Sequence, residues 1–189
     1  TRLAGEMGLG ALVGSEGGPE KVGNLLELYQ QTIKSAKPST RMVNNQNALM
    51  TAGFCHEDPK VIETRGVELV GWYLAQQRER ARLVWKGVDE ATVPPDYRGY
   101  YERDMRLAAG PHPGEATPQE VVKQGTSFLV GTPEDCIKFV ESYEAMGVEQ
   151  VFSLNAIGPE SHEETMNTLR TFGQHVIPYF KDKERAASK

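Results

Sequence analysis

Residues 128–158 read FLVGTPEDCIKFVESYEAMGVEQVFSLNAIG, and this stretch decides the fold. Thr132 is a good N-cap residue and Pro133 suits the first helical turn, so a helix is predicted to begin there. Apolar side chains then recur at the 3.6-residue period of a helix as far as Gly147, which is a favoured helix stop. The apolar segment VEQVFSLN follows directly and is predicted to form a strand. The stretch is therefore predicted to fold as a short loop, a capped helix and a strand.

The rest of the chain repeats this alternation of helix and strand. Further strands are predicted within residues 9–14 and 42–55, and further helices at about 3–7, 19–37, 60–85 and from 161 onward. Ser161 and Glu164 have the spacing of a capping box at the start of the last helix. Alternating units indicate parallel strands that are joined by helical crossovers. Only three strands are convincing, and the first helix has no strand before it.

Residues 86–125 interrupt the alternation and are predicted to form an irregular segment with one short helix. The segment is rich in proline and carries Tyr97, Tyr100 and Tyr101. Irregular segments of this length are usually functional lids or disordered chain. The tyrosines favour an ordered lid with an aromatic pocket wall, but a tyrosine cluster that packs the segment onto the domain explains them equally well.

The composition is that of an ordinary globular protein, with 39% hydrophobic and 25% charged residues. The 21 basic and 26 acidic residues give a net charge of −5, which argues against a nucleic-acid-binding surface. No apolar run approaches the roughly 18 residues that a membrane span needs. Cys55 and Cys136 lack metal-ligand spacing, so we expect no metal site. They are expected to be reduced thiols in the cytoplasm, with a disulfide between them as the alternative.

Several segments together resemble a known family. The opening stretch with HEETMNTLRTFGQHVIPYFK after it is similar to the C-terminal portion of the bacterial luciferase-like flavin-dependent monooxygenases. The resemblance rests on four features, which are the G-T-P-E helix start, the A-M-G-V turn, the strand after it, and the F-x-x-x-V-x-P pattern of the last helix. Residues 1–14 and the segment FCHEDPK also fit, so the resemblance covers most of 1–85 and 126–181.

The resemblance implies an α/β fold that is the C-terminal part of a (β/α)₈ TIM barrel, about strands six to eight. Residues 1–189 would belong to one barrel domain, with an irregular insertion at 86–125. The chain would then be a fragment rather than a natural short protein. Taken alone, such an arc would expose two open sheet edges.

The implied activity is flavin-dependent monooxygenation, in which reduced FMN and oxygen oxidise a small organic substrate. Implied partners are a separate flavin reductase and a second subunit in a homo- or heterodimer, with no nucleic acid and no membrane. One alternative is a deazaflavin-dependent oxidoreductase on the same barrel. Another is a non-enzymatic protein that binds flavin or serves as a subunit partner.

The resemblance also implies cofactor-binding positions. They are Thr1 at the phosphate-contacting helix, Gly14 and Ser15 beside the flavin ring, and the polar side chains of Asn45, Asn47, Ser153 and Asn155. For Thr1 a disordered chain end remains open, and for the other positions loop or capping roles do. Which of Asn45 and Asn47 faces the cofactor depends on the strand register, because a one-residue slip reverses the face to which a strand residue points. No catalytic side chain is named. The reactive histidine and cysteine of the family would lie upstream of Thr1, and His56 is expected to be an ordinary loop residue.

Overall fold

Four parallel strands and the helices between them form the part of the chain that the computed structural model describes, which is residues 1–15, 18–38, 41–109 and 127–187. The strands are β1 (Ala11–Gly14), β2 (Asn47–Cys55), β3 (Leu129–Gly131) and β4 (Gln150–Leu154). β2 is central, since both β1 and β4 pair with its residues 48–50 and must therefore lie on opposite sides of it. The short β3 pairs with the last three residues of β2.

The helices fall between the strands, as the alternation predicts. They are α1 (Arg2–Glu6), α2 (Gly18–Ile33), α3 (Pro59–Val61), α4 (Val67–Val84), α5 (Arg98–Ala108), α6 (Pro133–Glu144), α7 (His162–Thr171) and α8 (Ile177–Ala187). One π-helical turn, Ile62–Gly66, joins α3 to α4, and another, Phe172–Val176, joins α7 to α8. Short 3₁₀ turns lie at Glu90–Thr92 and Pro95–Tyr97.

Both predicted helix starts in the C-terminal part are confirmed. At α7 the Ser161 hydroxyl accepts from the Glu164 N–H at 3.2 Å, and the Glu164 carboxylate accepts from the Ser161 N–H at 2.7 Å. At α6 the Thr132 hydroxyl accepts from the Asp135 N–H at 3.4 Å. The Asp135 carboxylate accepts from the Thr132 N–H, so this pair forms a second capping box. Gly147 follows α6 with φ of 87°, a conformation that L side chains rarely adopt.

The sheet has one face that α2 and α6 cover and an opposite face that α4 covers only at the end of β2. Successive residues of a strand point to opposite faces, and parallel partners point to the same face. Val13 and Leu49 therefore share a face, and both pack against apolar side chains of α2 and α6. The opposite face, which we call the open face, carries Leu12, Phe152 and Leu154, whose side chains are 59%, 53% and 40% exposed.

The two cysteines lie in the core beneath the last helices. Cys55 and Cys136 are free and buried, in a cluster with Leu129, Phe172 and Val176. A hydrogen bond with Cys55 and burial raise the pKa of the Cys136 thiol well above its ordinary value. Both cysteines therefore behave as small apolar core residues.

One feature differs from the sequence prediction. The described residues contain four strands rather than three, because the segment predicted as a short loop before α6 includes β3. The segment after α4 contains one short helix, α5, as predicted, and its Asp104 accepts a hydrogen bond from the Trp85 indole at 3.0 Å. Tyr101 packs edge-to-face on Trp85 at 5.2 Å, whereas Tyr97 and Tyr100 are exposed. The lid prediction for residues 110–125 lies outside the described residues.

Of the helices that the structure describes, none has both the length and the apolar character needed to cross a membrane.

Candidate functional site

The carboxyl ends of the parallel strands meet at one edge of the sheet, and this edge is the candidate site. Open parallel sheets and α/β barrels bind ligands at this edge because loops of variable chemistry leave the strands there. We call it the rim and define it as residues 14–15, 55–56 and 153–155. Four of the seven residues predicted to bind a cofactor lie on it.

At the end of β1, Ser15 is held by its backbone. Its N–H donates to the Met50 carbonyl at 3.0 Å, and its carbonyl accepts from the Gly18 N–H at 3.1 Å. The Ser15 hydroxyl is fully buried, and it has no hydrogen-bond partner among the described residues. Buried hydroxyls are normally satisfied, so this one marks a place where a further polar group is needed. Gly14, beside it, is half-buried.

At the end of β4, Ser153 and Asn155 bond to each other. The Ser153 hydroxyl lies 3.2 Å from the Asn155 side-chain oxygen, and the Asn155 amide donates to the Ser153 carbonyl at 3.3 Å. Both residues are half-buried. Gly53 of β2 makes room for them, since a Cβ atom at this position would overlap the Ser153 hydroxyl. The pair therefore offers a hydroxyl and an amide that can exchange their mutual bond for a ligand.

At the end of β2, one nitrogen of the His56 ring accepts a hydrogen bond from the backbone. Its Nδ1 accepts from the Asp58 N–H at 3.0 Å, which leaves the ring proton on Nε2. The histidine's own N–H donates to the Gly131 carbonyl at 3.3 Å. Among the described residues no carboxylate bonds to this ring, so the structure gives it no partner that would make it a general base. That His56 is an ordinary loop residue stays a prediction.

The loop that follows β4 is fixed by charged groups that sequence analysis did not find. Arg65 donates to the Glu164 carboxylate at 2.7 Å and to the Pro159 carbonyl at 2.6 Å. The hydrogen bond from Arg65, helped by the Ser161 N–H, lowers the pKa of Glu164 to about 2. The Glu160 carboxylate accepts from two successive backbone N–H groups of the same loop. The loop beside the rim is therefore rigidly placed.

The other three predicted residues lie at the opposite edge of the sheet. Asn47 is the first residue of β2, and its amide donates to the Gly147 carbonyl at 2.9 Å and accepts from the Glu149 N–H at 3.2 Å. Asn45 is exposed just before it. Thr1 precedes α1 without a side-chain cap bond, and α1 packs on the last turn of α2. The structure does not bring these residues to the rim, and a cofactor contact by them stays a prediction.

Within the described ranges, no group of three or more His, Cys, Asp or Glu side chains could hold a metal ion.

Three solved structures resemble this chain. The monooxygenase RslO1 from Streptomyces bottropensis matches 95% of it with a TM-score of 0.57 and 21% sequence identity. The coenzyme F420-dependent tetrahydromethanopterin reductase from Methanopyrus kandleri also matches 95%, with a TM-score of 0.51 and 20% identity. Apo-MsnO8 matches 93%, with a TM-score of 0.51 and 15% identity. These proteins share the fold of this chain.

The match covers 44% of RslO1 and 47% of each of the other two proteins. This chain therefore spans less than half the length of the structures it matches. No family model matches the sequence.

Proposed function

We propose that the chain is an arc of a (β/α)₈ barrel, with β1, β2 and β4 as the sixth, seventh and eighth strands. Three observations support this. The three strands are parallel, and β1 and β4 flank β2, as the sixth and eighth strands of a barrel flank the seventh. Apolar side chains project from the open face, which would be the barrel interior. The similar structures are more than twice as long as the matched region.

On this arc we propose an oxidoreductase that uses reduced FMN and oxygen to oxidise a small organic substrate. The observation that carries the proposal is the match of 95% of the chain to a monooxygenase, together with the unsatisfied Ser15 hydroxyl at the rim. When bound, reduced FMN supplies the electrons for activating oxygen. A separate flavin reductase and a second subunit belong to the same proposal.

The rim residues fit the polar edge of a flavin ring. The orphaned Ser15 hydroxyl can donate to a ring carbonyl, and Asn155 can offer both a donor and an acceptor. Gly14 lies on the open face and has no side chain to fill the space in front of it. Ser153 would orient the Asn155 amide through their mutual bond. These residues bind and orient the ring, and we assign no proton transfer to them.

A deazaflavin cofactor is the second candidate. The match of 95% of the chain to an F420-dependent reductase favours it. A deazaflavin enzyme transfers hydride and needs no oxygen, so the two candidates differ in a measurable way.

The experiment is a binding titration of the intact protein with FMN, reduced FMN and coenzyme F420 under anaerobic conditions. Ser15→Ala and Asn155→Ala are expected to weaken binding of the preferred cofactor by about fivefold to tenfold each, as loss of one hydrogen bond would. Ser142→Ala is the matched control, because its exposed hydroxyl bonds only to the Phe139 carbonyl on α6.

The readouts separate the candidates. Oxygen consumption with a flavin reductase present supports the FMN monooxygenase, whereas hydride transfer with F420 alone supports the deazaflavin enzyme. Binding without any turnover supports a non-enzymatic flavin-binding protein. An intact protein that binds neither cofactor contradicts the proposal.

A further inference from the structure

A cleft of about 320 Å³ opens between the end of β2 and α7. Its floor is apolar and consists of Phe54 and Val61. Its polar walls are His56 on one side and the α7 residues Glu163, Asn167 and Arg170 on the other. Residues three and four apart lie on the same face of a helix, so these α7 side chains form one continuous wall.

The walls of the cleft are fixed by three connections between distant parts of the chain. The buried Thr168 hydroxyl donates to the Cys55 carbonyl at 3.3 Å and ties the middle of α7 to the end of β2. The Arg65–Glu164 ion pair ties the first turn of α7 to the π-helical turn after α3. His175 lies 2.8 Å from the Glu57 carboxylate and joins the helix beyond α7 to the loop after β2. The cleft is thus built into the fold.

The donors in the cleft are not used by the protein itself. Within the described residues, the Arg170 guanidinium and the Asn167 amide make no hydrogen bond or ion pair. The proton of His56 is on Nε2, since Nδ1 accepts from the Asp58 N–H. Three N–H donors of different kinds therefore surround an apolar floor.

From this arrangement we infer that the cleft binds a small aromatic monocarboxylate, with the ring on Phe54 and Val61 and the carboxylate against Arg170 and Asn167. Arginine is the side chain best suited to a carboxylate, because its planar fork can donate two parallel hydrogen bonds. The volume is at the lower end of small-molecule sites, which suits a single ring.

The charged side chains of the cleft favour a ligand with one negative charge over a ligand with several. Among the described residues that line the cleft, Arg170 is the only lysine or arginine, and Glu163 and Glu164 line it as well. Glu164 is already neutralised by Arg65, but Glu163 has no partner among the described residues. A dianion such as phosphate would be repelled by the Glu163 carboxylate. It also has no apolar part that could pack on the floor of the cleft. The site does not depend on the proposed flavin.

The test is a titration of the intact protein with benzoate, followed by NMR at the His56 ring and repeated with FMN present. Benzoate is expected to shift the His56 resonance, which His56→Gln identifies by its absence. Arg170→Gln should weaken binding by about tenfold or more, because a charged hydrogen-bond donor is lost. Arg185→Gln is the matched control, since it removes an exposed arginine on α8 and should leave benzoate binding unchanged.

Inorganic phosphate serves as the anion without an apolar body. Failure of phosphate to compete supports the proposal, as does equal benzoate affinity with and without FMN. The proposal is overturned if benzoate leaves His56 unchanged, if Arg170→Gln binds as the wild type does, or if phosphate competes at equal concentration. Because the titration needs no flavin, its outcome is separate from that of the cofactor experiment.

Discussion

At the scale of single residues, two buried tyrosines use their hydroxyl groups in opposite ways. The Tyr29 hydroxyl lies within 3.0, 3.1 and 3.2 Å of the carbonyls of Leu9, Asn44 and Gln46. Its single proton is shared among the segments that lead into β1 and β2. The Tyr143 hydroxyl, equally buried, has no hydrogen-bond partner among the described residues. The Tyr29 hydroxyl therefore stabilises the fold. The Tyr143 hydroxyl loses its hydration on folding, and no hydrogen bond to a described residue compensates for that loss.

Removing the two hydroxyls should therefore have different effects. Tyr29→Phe leaves three buried carbonyls without their donor and is expected to lower the free energy of unfolding by about 1–3 kcal/mol. Tyr143→Phe removes an unsatisfied group and is expected to be neutral or slightly stabilising. Urea denaturation of both variants measures the difference. Equal losses in the two variants would show that the Tyr29 hydrogen bonds do not matter.

The Glu164 carboxylate links stability to pH. Hydrogen bonding with Arg65 lowers its pKa from the ordinary 4.5 to about 2. A group with a depressed folded-state pKa stabilises the protein above its unfolded-state pKa, and the contribution disappears as pH falls through the folded value. The contribution of Glu164 is thus complete above about pH 4.5 and lost toward pH 2.

Glu164→Gln should lower the free energy of unfolding at pH 7 by roughly 1–2 kcal/mol, a value reduced for the partial exposure of the pair. The glutamine can still complete the capping box with Ser161, so the charge is the main loss. Unfolding at a series of pH values is the measurement, and the variant and wild type should converge near pH 2. Glu163→Gln, one residue away and without an ion pair, should change stability little. A constant difference at all pH values would contradict this assignment.

At the scale of elements, β2 and β4 are in tight contact where the Ser153 side chain lies against Gly53. The approach places the rim residues of β4, because a side chain on Gly53 would occupy the position of the Ser153 hydroxyl. Gly53 is needed here for space rather than for an unusual backbone conformation, since its φ is not among the positive values.

Gly53→Ala is expected to destabilise the protein by about 1–3 kcal/mol through overpacking. The second substitution Ser153→Ala removes the overlapping oxygen and should restore most of the loss. Gly71→Ala is the control, because nothing lies within 4 Å of a Cβ there and alanine favours the interior of α4. Thermal unfolding measures all three variants. If Gly53→Ala were as stable as the wild type, the close approach would be wrong.

A helix or strand could be predicted from the sequence where residues close together in the chain determine it. The caps at Thr132 and Ser161, the stop at Gly147 and the helix–strand alternation were all readable, because each depends on neighbouring residues. β3 was not, since three residues carry no periodicity and become a strand only by pairing with residues 53–55. The Arg65–Glu164 pair joins positions 99 residues apart, which no local pattern reports. The position of Asn47 was not readable for a related reason, because it depends on which end of β2 the residue occupies.

At the scale of the whole molecule, the open face is the surface on which large apolar side chains are left exposed. Leu12 on β1 and Phe152 on β4 project from the two strands that flank β2, and both side chains are more than half exposed. Exposed apolar patches on a sheet mark an interaction surface or an aggregation hazard. In the proposed barrel this surface is the interior, and the strands of the rest of the barrel would cover it.

The chain of 189 residues, studied alone, should therefore self-associate through this face. Leu12→Thr together with Phe152→Thr should shift it toward the monomer without lowering the unfolding temperature much, because the removed side chains are mostly exposed. Sedimentation velocity at several concentrations measures the shift. Leu83→Thr, an exposed leucine on α4, is the matched control. Unchanged association in the double variant would show that another surface is responsible.

The central claim is that a flavin-type cofactor binds at the carboxyl ends of these strands, and hydrogen exchange tests it most directly. Amide exchange of the intact protein is measured by mass spectrometry with and without saturating reduced FMN or F420. The account predicts protection of residues 13–15 and 153–157, with no change at residues 44–47 at the opposite edge of the sheet. Protection confined to 44–47, or bound cofactor without any protection at the rim, would contradict it.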